Sequence, residues 1–98
     1  MQRLRTYTVE EANSELPRVR RVVAQIAELS ALLPELELLK AVASLNGIGI
    51  QLKGPLEGLI DFPSYRDGEL VELCWKLGED RVEHWHRVGE GFAGRKKL

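Results

Sequence analysis

Apolar positions along this chain change period once, near Asn46, dividing it into a helical part and a strand-rich part. "TVEEANSELP" opens the first part, with Thr8 placed to cap a helix and Glu11 placed to complete a capping box. Glu10 and Glu11 also suit the positive end of a helix dipole. Pro17 lacks an amide hydrogen and crowds the preceding turn, so the pattern predicts a short first helix, a break near Leu16 and a new start at Pro17. From there Val19, Val22, Val23, Ile26, Leu29 and Leu33 recur at helix-face spacing, with Arg18, Arg21, Gln25 and Glu28 largely elsewhere. Pro34 ends that helix or starts the next, "ELELLKAVASL", in which Leu36, Leu39, Val42 and Leu45 align and Asn46-Gly47 supplies a stop. Two helices joined at a proline predict an antiparallel pair.

Beyond Gly47 the period is that of strands. Ile48, Ile50 and Leu52 alternate with Gly49, Gln51 and Lys53; "KGPLEG" is a loop; "LIDFP" is a short strand closed by Pro63; "RDG" at 66–68 is a turn. "LCWKLGEDRVEHWHR" then reads as a hairpin. On its first strand Val71, Leu73, Trp75 and Leu77 share a face, opposite Glu72, Cys74 and Lys76. On its second, Val82, His84, His86 and Val88 stand against Arg81, Glu83, Trp85 and Arg87. A turn at Gly78-Glu79, or a four-residue loop around it, sets Trp75 opposite Val82 and Leu73 opposite His84. This gathers the aliphatic residues and both histidines on the face turned to the helices, and a slip of one residue reverses every side chain. The same register puts Cys74 away from the histidines, Trp75 in the core and Trp85 on the opposite, more exposed face. "GEGFAGRKKL" is too rich in glycine to predict regular structure. The expected architecture is a single α+β domain over 1–98, helical from 8 to 46, strand-rich from 48 to 88, with an irregular tail over 89–98. Its N-terminal helical hairpin packs on a small three- or four-stranded, mostly antiparallel sheet.

Charge narrows the partners. Fourteen basic against fifteen acidic residues give a formal net charge of -1, so no nucleic-acid partner is expected. No apolar run approaches the ~18 residues of a membrane span, and "MQRLRTYTVEE" lacks the apolar stretch of a signal peptide. A soluble cytosolic protein without a membrane partner is the expectation. Cys74 is the only cysteine, which excludes an internal disulfide and a multi-cysteine zinc site.

The candidate chemistry centres on the histidines. Burying an imidazole without a hydrogen-bond partner costs ~1–3 kcal/mol, so a histidine on a core-facing strand needs one. Asp61, flanked by Ile60 and Phe62 in an otherwise apolar strand, is the leading candidate, with Arg66, Asp67 and Arg95 able to reach in from loops. His84-x-His86 with Asp61 has the spacing of a metal-ligand set. A general-base role for His86, oriented by Asp61, is the other chemistry. Histidines whose hydrogen bonds are simply satisfied within the fold are commoner than either. No cofactor is implied: "GEGFAG" lacks the strand-turn-helix setting of a phosphate loop, and "GRKKL" reads as a solvated basic end.

"YTVEEAN", Leu16-Pro17, "GLIDFP", "LCWKLGE", Trp85-His86 and "GFAGR", in this order, resemble the Domain of Unknown Function 2203 family of small uncharacterised bacterial proteins. The resemblance implies no activity, but it groups Asp61, His86 and Arg95 as candidate catalytic residues. His84 departs from the aromatic residue that commonly precedes Trp-His there, which weighs against the His-x-His metal site. The helical region before "GLIDFP" is also shorter than in many relatives. The expected function is a small binding or interaction module with room for a small ligand. It is expected to self-associate as a homo-oligomer through the apolar residues of "LPELELLKAVASL". The alternative is a metal-binding protein or acid–base enzyme using Asp61, His86 and His84.

Overall fold

The computed structural model describes residues 5–32 and 35–98. Two helices, α1 (Val9–Leu32) and α2 (Glu35–Asn46), precede β1 (Gln51–Gly54), β2 (Leu59–Arg66), β3 (Glu69–Lys76), β4 (His84–Arg87), a single 3-10 turn (Phe92–Gly94) and β5 (Lys96–Lys97). The five strands lie in one sheet in chain order, each pair antiparallel. The α+β class holds, with more strands than expected because the tail adds one. Leu98 reinforces that edge by donating its amide to Glu83 O.

The capping box forms as the sequence implies: Thr8 N donates to Glu11 Oε1 at 2.9 Å, and Glu11 N donates to Thr8 Oγ1 at 3.1 Å. Hydrogen bonds from the Thr8 amide and the Thr8 hydroxyl hold the Glu11 carboxyl below the usual carboxylate range. The expected break at Pro17 is absent, and α1 runs unbroken through it. Proline removes one helical hydrogen bond, yet Pro17 sits on the exposed side of α1. A continuous helix keeps Ala12, Leu16, Val19, Val23 and Ile26 in one buried stripe, and that burial outweighs a single lost bond. On α2 the buried face is Ala41 and Leu45 with Leu38 and Val42 at its margin, whereas Leu39 is 66% exposed. The expected Leu36-Leu39-Val42-Leu45 face is therefore rotated. Leu33, Pro34 and the side chain of Leu36 lie outside the described residues. Helix α2 stops at Asn46, and the left-handed residue that turns the chain into β1 is Gly49, at φ 82°.

β2 does not end at Pro63. It continues to Arg66, because β1 pairs with it only as far as Asp61. At Pro63 the side that would need an amide hydrogen faces the incoming N-terminal segment, where Pro63 O accepts from Tyr7 N at 2.7 Å. The β2–β3 turn has positive φ at both Asp67 (52°) and Gly68 (79°), the primed geometry that matches strand twist.

The hairpin between β3 and β4 departs most from expectation. Cys74 pairs with His84, Leu73 with Trp85 and Glu72 with His86, one residue away from the expected register. No tight turn closes it. Val82 leaves the strand and docks on α1 instead, its amide donating to Asn13 Oδ1 at 2.8 Å. Trp75 Nε1 meanwhile donates to Glu79 O, which folds 77–83 across the end of β3. Val82 is thus buried without occupying a ladder position, and Val88 is exposed. Trp85, carrying far more apolar surface than a valine, takes the place beside Leu73.

This register defines two faces. The inner face carries Ile60, Phe62, Val71, Leu73, Trp75 and Trp85, in one core with α1 and α2. Trp75 and Trp85 therefore share a face, contrary to expectation, although Trp85 (9%) remains more exposed than Trp75 (0%). Arg66 and Lys96 lie over the Trp85 ring at 4.8 and 5.1 Å. The outer face carries Asp61, Glu72, Cys74, His84 and His86.

Candidate functional site

Strand alternation makes the outer face polar. In β2, Asp61 points away from Ile60 and Phe62; in β3, Glu72 and Cys74 point away from Val71 and Leu73; in β4 the histidines point away from Trp85. One row across the sheet reads Asp61, Cys74, His84, and the next reads Pro63, Glu72, His86. Asp61, Cys74 and His86 are each 1% exposed, and Glu72 is 5% exposed. The segment after β4 covers them. Gly89, Gly91 and Phe92 close a cavity of about 170 Å3 with Lys53 and Leu59 over Asp61, Glu72, Cys74 and His86.

His86 and Asp61 meet as expected, Nε2 to Oδ1 at 3.1 Å. His86 Nδ1 lies 2.8 Å from Arg87 O. A carbonyl only accepts, so Nδ1 carries a proton. Nε2 then either carries a second proton against the Asp61 carboxylate or accepts one from Asp61. Lys53 Nζ approaches Asp61 Oδ2 at 3.9 Å and Glu72 Oε2 at 3.6 Å, while Glu72 Oε1 lies 4.0 Å from His86 Nδ1. Two carboxyl groups thus share one ammonium and one imidazole at a buried site.

Cys74 lies beside the histidines, not opposite them. Burial pushes its thiol up to about 12; the Asp61 carboxylate adds to this by charge and by accepting a hydrogen bond, with Arg95 opposing. A thiol held as S–H is a poor nucleophile, so no activated Cys–His pair is present here.

Arg95 does not join Asp61 and His86. Its Nη2 donates to both carboxylate oxygens of Glu79, at 2.8 and 2.7 Å, and to His84 Nδ1 at 2.7 Å. Its guanidinium lies 4.6 Å from the Phe92 ring centre, so it clamps the covering segment to the sheet. His84 belongs to this clamp and not to the Asp61–His86 pair. Arg66 lies against Trp85 on the inner side and Asp67 in an exposed turn, so neither reaches the site. Sequence reasoning missed Lys53, Glu72, Cys74 and Glu79. The available signal was Asp61 itself, since a charged residue between Ile60 and Phe62 marks a polar face that neighbouring strands must match.

Among the described residues no helix is long and apolar enough to cross a membrane. No curated protein and no solved structure matches the chain. A family model described as "Uncharacterized conserved protein (DUF2203)" matches residues 34–98, a span that takes in α2, every strand and all of the outer-face cluster. The chain belongs to the DUF2203 family.

Proposed function

We propose that this protein is a small binding module that takes a ligand into the cavity beneath residues 89–92, with Asp61, Glu72, Cys74 and His86 as its floor. The observation that carries this reading is the burial of four polar side chains on one sheet face, all lining one hollow. A buried ion pair is weak support for a fold, since well-packed apolar residues often do as well or better. A domain this small that keeps such a cluster gains something other than stability from it.

The test replaces both members of the pair, Asp61→Leu with His86→Leu, and follows urea unfolding. Under this reading the double variant is as stable as the parent or more so. A loss above ~3 kcal/mol identifies the pair as scaffold and overturns the reading.

Self-association is a second reading, favoured by Leu39, which projects 66% exposed from α2. A second copy packed there would cover it. Sedimentation across micromolar concentrations tests this, and a particle monomeric throughout overturns it.

A further inference from the structure

We infer that the ligand of this pocket is a divalent transition-metal ion of the zinc class, held by Asp61, Cys74 and His86. The inference rests on the binding-module reading above and names its ligand.

One donor atom from each of these three residues lies within 4.8 Å of the others, all three side chains being buried. The donors of a tetrahedral site stand roughly 3.2–3.8 Å apart, given metal–ligand lengths of ~2.0–2.3 Å, so closure about an ion takes a side-chain adjustment of ~1 Å. The donor set is one carboxylate oxygen, one imidazole nitrogen and one sulfur. Sulfur and imidazole select zinc-class ions over calcium or magnesium, which prefer oxygen throughout.

The outer hydrogen bond is already in place. His86 donates Nδ1–H to Arg87 O at 2.8 Å, which leaves Nε2 as the atom aimed at the carboxylate. Metal-bound histidines are held in this way, with the far nitrogen donating to a carbonyl or carboxylate. The charges also balance. An incoming divalent ion displaces the proton lying between His86 Nε2 and Asp61 Oδ1 and the thiol proton of Cys74, and two released protons leave the net charge unchanged. The fourth position opens onto the cavity beside Lys53 and Glu72.

His84 is excluded from this ligand set, because its Nδ1 accepts from Arg95 at 2.7 Å. The metal-ligand spacing visible in the sequence, His84-x-His86, is therefore not the one used: Cys74, paired across the ladder with His84, takes its place.

The experiment uses the full chain, purified without an affinity tag, stripped with chelator and titrated with Zn2+ and with Co2+. One equivalent of Co2+ is expected, with visible ligand-field bands and near-ultraviolet thiolate-to-metal absorption. Since Cys74 is the only cysteine, that absorption assigns the sulfur ligand without any variant. Cys74→Ser, Cys74→Ala and His86→Gln, each checked for a native amide spectrum, should weaken Zn2+ binding by about 100-fold or more, and His84→Phe should leave it about unchanged. Binding of less than about a tenth of an equivalent of both ions overturns the metal assignment. So does Co2+ binding without thiolate absorption. In either case the unfolding of the Asp61→Leu/His86→Leu variant still decides the binding-module reading independently.

Discussion

Each face of this sheet holds a buried cluster, and the two clusters are built from opposite chemistry. Inward, Ile60, Phe62, Leu73 and Trp75 meet the apolar stripe of α1. Outward, Asp61, Glu72, Cys74 and His86 meet one another under a short segment held down by Arg95. Burial alone therefore does not distinguish a core from a site. On the inner face, leaving water is itself favourable, and stability scales with the apolar area removed. On the outer face, leaving water is costly and must be offset contact by contact, by the His86–Asp61 pair, the Arg87 carbonyl and Lys53. The first arrangement makes the domain fold. The second depends on the fold and contributes little to it.

The sharpest way to break that contrast is to truncate each face. Trp75→Ala, at a fully buried inner position, should cost ~3–5 kcal/mol in urea unfolding. The paired apolar replacement of Asp61 and His86 should cost nothing measurable. A Trp75→Ala loss below that of the outer double variant would reverse the assignment of the two faces.

Breaking the outer pair from one side should fall between these limits. His86→Phe leaves the Asp61 carboxylate and the Arg87 carbonyl without their partner, and the expected loss is ~1–3 kcal/mol. The comparison with the double variant is what matters, since removing both partners relieves a penalty that removing one creates. If the single change is harmless, Asp61 finds Lys53 or water sufficient and the pair is not an organising feature.

Much of this architecture could be read from the sequence, and the failures have physical causes. The capping box, the period change near Asn46 and the Asp67-Gly68 turn all depend on neighbours in sequence. The hairpin register did not follow, because it depends on where Val82 goes. Periodicity counts Val82 as a strand residue, whereas Asn13, distant in sequence, holds it as a loop residue against α1. One such contact shifts the ladder by one residue and turns both histidines to the other face. For the same reason the sequence reading counted His84 in and Cys74 out, whereas the buried donor atoms that lie together among the described residues are those of Asp61, Cys74 and His86. Pro17 misled differently: a local rule against interior proline yielded to the burial of a long apolar stripe.

That concession is measurable on the inner side, since α1 is what covers it. Proline is ~3 kcal/mol less favourable than alanine inside a helix. Its restriction of the unfolded chain returns up to ~1 kcal/mol. Pro17→Ala should thus stabilise the domain by roughly 2–3 kcal/mol, seen as a higher urea midpoint at unchanged slope. No gain would mean that α1 is interrupted there in solution.

The smallest expected effect sharpens the comparison within the outer face itself, between its two histidines. His84 is one of several partners of Arg95, whose guanidinium also contacts both oxygens of Glu79 and the Phe92 ring. The His84 side chain is 32% exposed, against 2% for His86. Replacing His84 by Phe removes one acceptor from an arginine that keeps its carboxylate, and water can reach what is left. The change should stay within ~0.5 kcal/mol of the parent, because the Arg95–Glu79 pair remains in place. An equal loss in His84→Phe and His86→Phe would show that the two rings form one cooperative network, with Arg95 and Asp61 acting through Cys74 between them. A larger loss in His84→Phe would move the centre of the site from the Asp61–His86 pair to the Arg95 clamp.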